Sequence, residues 1–273
     1  MLTQFLKRRR KLKSINEFQN KKKNNNPITM VTCYDYWSAK IINETEIDAV
    51  LVGDSAAMVM HGFESTIYAE VEMMLYHISA VKRGLKDKLL IADFPFLAHR
   101  KGKRFAIEVA DKYLKSGANA VKIEGAGSTI DIIKELIDSG IPVMGHLGLT
   151  PQSINALGGY IVQGKKSVDA AKILSDALEL ETAGCFAIVL ELVPAGLAKK
   201  ITEQLKIPTI GIGAGRFTSG QILVLHDLLG LTKDFNPKFV RKYLNGFELI
   251  KQALNNFNQD VKSNLFPNDE ESF

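Results

Sequence analysis

From residue 27 onward the chain alternates two patterns. Short, nearly all-apolar runs end on polar residues or glycine: ITMVTCYD (28–35), AVLVGD (49–54), LLIAD (89–93), AVKIEG (120–125), IPVMGHLG (141–148), AIVLE (187–191), IPTIGIGAG (207–215) and QILVLHD (221–227). Several are apolar at every central position, the pattern of strands buried on both faces. Between most of them lie stretches with apolar residues three and four apart, such as VEMMLYHISAVKRG and VDAAKILSDALELETAG, which predict helices. Gly84, Gly117, Gly140 and Gly184 stand where several of these helices should end. Strand–helix alternation predicts parallel strands with crossover helices. Eight such runs predict a closed (β/α)8 barrel, an α/β fold, with an open doubly wound sheet as the alternative. Only five residues separate the last two runs, so either that crossover lacks a helix or QILVLHD is itself helical.

The rhythm is unbroken, which predicts one barrel domain over 27–273, C-terminal helices included, behind a basic N-terminal arm or helix over 1–26. Charge follows the same division. Residues 1–26 hold nine Lys/Arg against one acid, Glu17, so they carry +8 of a net +5, and the remainder carries −3. A nucleic-acid role would rest on that arm alone; a solvated helix or tail is the simpler expectation, and NKKKNNN (20–26) reads as flexible. No run approaches the roughly 18 apolar residues of a membrane span. Cys33 and Cys185 give neither a disulfide framework nor metal spacing, which fits a reducing cytosol.

The second, third, fourth and sixth runs carry an acid at the end of the apolar stretch: Asp54, Asp93, Glu124 and Glu191. In a parallel barrel those ends converge on one face, where catalytic groups are placed. A single such acid is equally well a helix N-cap; four in succession imply clustered carboxylates, which are costly to bury without a positive charge among them. A hard divalent cation with oxygen ligands answers that need. Lys122 lies two residues before Glu124, so both point to the same face. It suits a point charge for a substrate carboxylate, a Schiff-base lysine or a structural ion pair. His146, in GHLGLTPQS (145–153), ends the fifth run and suits a hydrogen bond to an anionic substrate or a satisfied place in the core; His61, His77, His99 and His226 show no ligand spacing. GIGAG (211–215) lacks the full dinucleotide fingerprint.

These stretches, together with TCYDYWSAK, LVGDSAAMV, ADFPF, PVMGHLGLTPQSIN, GGYIVQGK, AIVLELVPAGLAKKIT and GQILVLHDLLG, run in the order of one family. The chain resembles ketopantoate hydroxymethyltransferases over nearly its whole length. The resemblance implies a (β/α)8 barrel with an N-terminal helix, assembled as a decamer of two five-membered rings. It implies Mg²⁺ and 5,10-methylenetetrahydrofolate, acting on 3-methyl-2-oxobutanoate through an enolate stabilised by the metal. By motif, Asp54, Asp93 and Glu124 fall on the metal-site carboxylates, some acting through water. Asp54, Ser55, Asp93, Lys122 and His146 fall on the residues around the 2-oxo acid, and Glu191 on the general base. A cytoplasmic homo-oligomer with no nucleic-acid or membrane partner follows. Three stretches depart from the pattern: GDSAAM for GDSLGM, STIYAEV for STLPVT, and LAHR (97–100) after ADFPF. They bear on loop positioning and folate affinity. Three other readings remain: an enzyme of the isocitrate lyase and phosphoenolpyruvate mutase group, an RNA binder acting through the arm, and a paralogue that has lost turnover.

Overall fold

The computed structural model describes residues 14–273; residues 1–13 of the basic arm lie outside them. Eight parallel strands close into a barrel in sequence order. They are β1 (Ile28–Thr32), β2 (Ala49–Val52), β3 (Leu89–Asp93), β4 (Ala120–Glu124), β5 (Val143–Gly148), β6 (Ala187–Glu191), β7 (Thr209–Ile212) and β8 (Gly220–Leu223). β8 pairs with β1, Ile28 opposite Gly220, so the sheet has no edge. The ambiguous eighth run divides: QIL belongs to β8, while a short helix opens at Leu225, and no helix separates β7 from β8. Among the described residues, no helix is long and apolar enough to cross a membrane.

Alternate strand residues face the barrel interior. Toward the strand N-termini these are apolar, including Met30, Leu51, Ile91, Ala120, Met144 and Val189, and they form one buried cluster. Helix α1 (Ile15–Lys23) closes that end of the cluster with Phe18, which meets Phe186 edge to face at 5.8 Å. The flexibility expected at 20–26 is therefore corrected for Asn20–Lys23, which belong to this helix. Lys21 pairs with buried Asp48 at 2.6 Å. Lys22 Nζ donates to the carbonyls of Thr202, Leu205 and Ile207 at 2.7–2.8 Å, taking up backbone acceptors at the end of helix Ala195–Gln204 that have no partner within it.

Gly117, Gly140 and Gly184 follow their helices with positive φ, as C-terminal glycines do. Gly84 does not. It lies in the last turn of helix Val71–Gly84, where a Cβ would stand 2.6 Å from Ala39 Cβ and 2.7 Å from the Tyr36 carbonyl oxygen. Its smallness lets that helix pack against helix Tyr36–Asn43. The chain divides after Leu223 into two compact units. The second, Val224–Phe273, is built on helix Gly246–Lys262, whose Phe247, Ile250, Leu254 and Phe257 are exposed.

Candidate active site

The strand alternation that fills the foot of the barrel with apolar groups fills its mouth with charge. Asp93 ends β3, Lys122 and Glu124 lie on β4, His146 lies on β5, and Glu191 ends β6. Register brings them together. Asp93 is the Cα partner of Lys122, and Glu124 that of His146. Lys122 Nζ stands 2.7 Å from Asp93 Oδ1 as a charge contact, not an aligned hydrogen bond, with both side chains at most 4% exposed. Asp54 enters from the turn after β2; its backbone N–H donates to Asp93 Oδ2 at 3.2 Å.

His146 links the ammonium to Glu191. Its Nδ1 lies 3.2 Å from Lys122 Nζ and 3.2 Å from Glu124 Oε1; its Nε2 lies 3.2 Å from Glu191 Oε2. An ammonium only donates, so Nδ1 accepts and the neutral imidazole carries its proton on Nε2, beside Glu191. That N–H is not aligned into a hydrogen bond on the carboxylate as the side chains stand. Burial, then the Lys122 charge, lowers the His146 pKa, which keeps the ring neutral.

The electrostatics follow from three buried carboxylates around one cation. Burial opposes the Lys122 ammonium, but Asp93, Glu124 and Asp54 outweigh it and raise its pKa. The lysine therefore stays charged, which favours the point-charge role over a Schiff base, since that needs a free amine. Burial pushes Glu124 up to about 7 against the pull of Lys122 and the Gln152 N–H. Burial, with Asp93 and Glu124 adding to it, holds Asp54 well above the usual carboxylate range. Carboxylates in this condition call for more positive charge than Lys122 supplies.

The donor set is hard oxygen, and Glu124 Oε1 is buried without a hydrogen-bond partner. Both features fit a divalent cation such as Mg²⁺. Among the described residues, however, no three His, Cys, Asp or Glu side chains are arranged to hold an ion by themselves. A cation here would take only part of its shell from Asp54, Asp93 and Glu124, the rest being water or substrate, as Mg²⁺ prefers.

Two buried residues at the site escaped the sequence reading. Gln152 Nε2 donates to Asp54 Oδ2 and to the Phe94 carbonyl, both at 2.8 Å, and its backbone N–H donates to Glu124 Oε2 at 3.2 Å. One residue thus joins the ends of β2, β3 and β4. Tyr34 places its hydroxyl 2.7 Å from Ser55 Oγ. The motif GHLGLTPQS drew notice for its histidine; a loop glutamine gives no periodic signal. Gly148 is required by close approach: its φ is +92°, and a Cβ would stand 2.2 Å from the Glu191 carbonyl oxygen. GIGAG has a similar use, since a Cβ on Gly215 would stand 2.5 Å from Ala195 Cβ. Two of the three departures are ordered parts of the fold, although Leu97, which opens LAHR, takes a left-handed φ of +58°. Ala57, where the resembling motif has glycine, is buried inside helix Ala56–Val59 with ordinary φ. LAHR forms a 3₁₀ turn that buries His99.

Comparison with known proteins agrees with the resemblance. The family profile described as ketopantoate hydroxymethyltransferase matches residues 12–269. A 3-methyl-2-oxobutanoate hydroxymethyltransferase of Bdellovibrio bacteriovorus is 51% identical over 96% of this chain and 100% of its own. One from Legionella pneumophila is 54% identical over 95% and 99%. Among solved structures, a phosphonopyruvate hydrolase in complex with oxalate and Mg²⁺ superposes with a TM-score of 0.62 at 11% identity, covering 94% of this chain and 93% of that one. At that identity the likeness is one of fold.

Proposed function

Because the chain belongs to the ketopantoate hydroxymethyltransferase family and is a transferase, we propose that it moves a one-carbon unit from 5,10-methylenetetrahydrofolate to C3 of 3-methyl-2-oxobutanoate, giving ketopantoate. The observation that carries this reading is the convergence of Lys122, three buried carboxylates and the His146–Glu191 pair at one barrel mouth.

Lys122 holds the substrate carboxylate as a fixed ammonium, with Ser55 and His146 beside it. Glu191, its side chain 16% exposed, is the base that takes the C3 proton. The Nε2–H of His146 needs only a small rotation to orient that carboxylate. Asp54, Asp93 and Glu124 are the residues that would hold Mg²⁺; when bound, the ion would supply Lewis-acid polarisation of the 2-oxo group. The carbanionic C3 then forms its bond to the folate methylene, and water provides the hydroxyl as tetrahydrofolate leaves. Gln152 holds Asp54 and the β3 loop in register throughout. We further read the protein as a cytoplasmic homo-oligomer, a decamer by family resemblance.

Proton exchange tests the first half of this chemistry without folate. The protein is incubated with 3-methyl-2-oxobutanoate in D₂O, with and without Mg²⁺, and loss of the C3 proton is followed by NMR. Metal-dependent exchange abolished by Glu191→Gln is expected. Background exchange from a folded wild-type protein, still background after methylenetetrahydrofolate is added, would overturn the assigned reaction.

A further inference from the structure

Ser55 opens the turn into helix Ala56–Val59, and its hydroxyl lies beside the Asp93 carboxylate. A Cβ on Gly53 would stand 2.9 Å from Ser55 Oγ and 3.6 Å from Asp93 Oδ2, so both atoms border the same space. A serine hydroxyl left alone samples several staggered positions. Here Tyr34 Oη, 2.7 Å away, restrains it. Tyr34 follows β1 and is only 1% exposed.

Tyr34 is held in turn by helix Val71–Gly84. His77 Nδ1 lies 2.6 Å from the Tyr34 carbonyl oxygen, and the two rings meet edge to face at 6.2 Å. A carbonyl only accepts, so Nδ1 carries the proton and the neutral ring presents a bare Nε2. That nitrogen faces His61 Nε2 at 2.8 Å, which must therefore be the donor. His61 stacks on Phe63, and Phe63 on Tyr68, at 6.5 and 5.1 Å between centroids. The contacts run from the surface to Ser55. They join the end of β1, the loop after β2 and the helix that follows it. They do not form a proton wire, because His77 reaches the backbone of Tyr34 while Ser55 meets its phenol. They form a mechanical clamp. Burial lowers the His77 pKa, which keeps the ring in the neutral form the clamp uses.

We propose that Tyr34 and His77 are positioning residues that set the Ser55 hydroxyl against the 2-oxo acid, with His61 locking the tautomer of His77. The inference rests on Ser55 touching substrate, as the proposed reaction has it. Nothing in the sequence pattern pairs these histidines; they lie sixteen positions apart and meet only in the fold.

The full chain is tested in steady-state turnover with 3-methyl-2-oxobutanoate, Mg²⁺ and methylenetetrahydrofolate, and thermal unfolding is read in parallel. Tyr34→Phe removes one hydroxyl. His77→Leu removes the donor to the carbonyl, and His77→Asn restores an N–H where Nδ1 stood. Tyr34→Phe and His77→Leu should each raise KM for the oxo acid about tenfold, the effect of one lost hydrogen bond, with kcat little changed. His77→Asn should return KM to near the wild-type value. The Tyr34→Phe/His77→Leu double variant should be no worse than either single, because both break one clamp. An unchanged KM in Tyr34→Phe overturns the proposal. So does an additive double variant, or a His77→Leu defect that follows Tm and is not rescued by asparagine. Wild-type protein without turnover would strike at the assigned reaction instead. The clamp is then read by calorimetric titration of the oxo acid, where equal affinity for wild type and Tyr34→Phe overturns it.

Discussion

Lys122→Met is the most demanding test of the charge balance at the barrel mouth. The substitution keeps an unbranched side chain of similar reach and removes the cation inside a cluster of three buried carboxylates, 2.7 Å from the nearest. At an effective dielectric of about 20, one unit pair at about 4 Å is worth roughly 4 kcal/mol. Removing one partner of a buried pair costs about 3–5 kcal/mol. We expect a loss of that size in unfolding free energy, measured by urea titration at pH 8 without divalent ions. The pH dependence has a definite sign. The Glu124 pKa is raised from 4.5 to about 7, so its contribution to stability is present below pH 4.5 and lost as pH rises through 7. Lys122 restrains that rise, so its removal deepens the loss at high pH, and the variant's deficit should shrink at pH 5 as the carboxylates protonate. Mg²⁺ should return part of the stability at pH 8 by replacing the missing charge. A deficit below about 1 kcal/mol at pH 8, or one equal at pH 5 and pH 8, would refute the argument that Lys122 balances these acids.

Gln152→Ala frees Asp54 and the Phe94 carbonyl; Mn²⁺ binding followed by electron paramagnetic resonance should weaken about 10- to 100-fold, as for other partners of metal ligands, and unchanged affinity would remove Gln152 from the site. Gly148→Ala forces a Cβ against the Glu191 carbonyl oxygen at positive φ; it should cost about 2–4 kcal/mol of stability and reduce C3 proton exchange more than oxo-acid binding. Burial pushes the His99 pKa down from 6.5 to about 4, so the unfolded chain takes up that proton first as pH falls through this window, and native stability drops. Between pH 7 and pH 5 that drop is about 2 kcal/mol, and His99→Gln should lack it; because Glu124 titrates in the opposite sense, the difference between wild type and variant is the quantity to measure, and a difference independent of pH would show that His99 is not buried neutral.

How much of this was legible in advance differs by element. The strands were legible because a chain buried on both faces must be apolar throughout, and AVLV or LLIA admits few other uses. The barrel followed from repetition, since parallel strands need crossovers. Lys122 and Glu124 could be assigned to one side because strand side chains alternate without exception. Gly84 ends its helix as the pattern predicts, but the reason it is glycine, close packing on Ala39, was not legible. The lysines of NKKKNNN were misread as a flexible stretch. In both cases the partners, Ala39 and the carbonyls near Thr202, lie far along the chain.

The site divides in the same way. The sequence by itself determined which chemical groups stand at the strand ends, and through its motifs which family the chain belongs to. It could not state which groups touch. Register decided that Asp93 faces Lys122 and that Glu124 faces His146, and register is a property of the closed sheet. Tyr34 and Gln152 stand inside family motifs, but neither they nor His77 carried a signal of what they touch, because a polar residue in a loop or on a helix looks the same whether it meets water or a buried carboxylate. Only the tertiary structure distinguishes the two, by removing the water and leaving the hydrogen bond to be made within the protein.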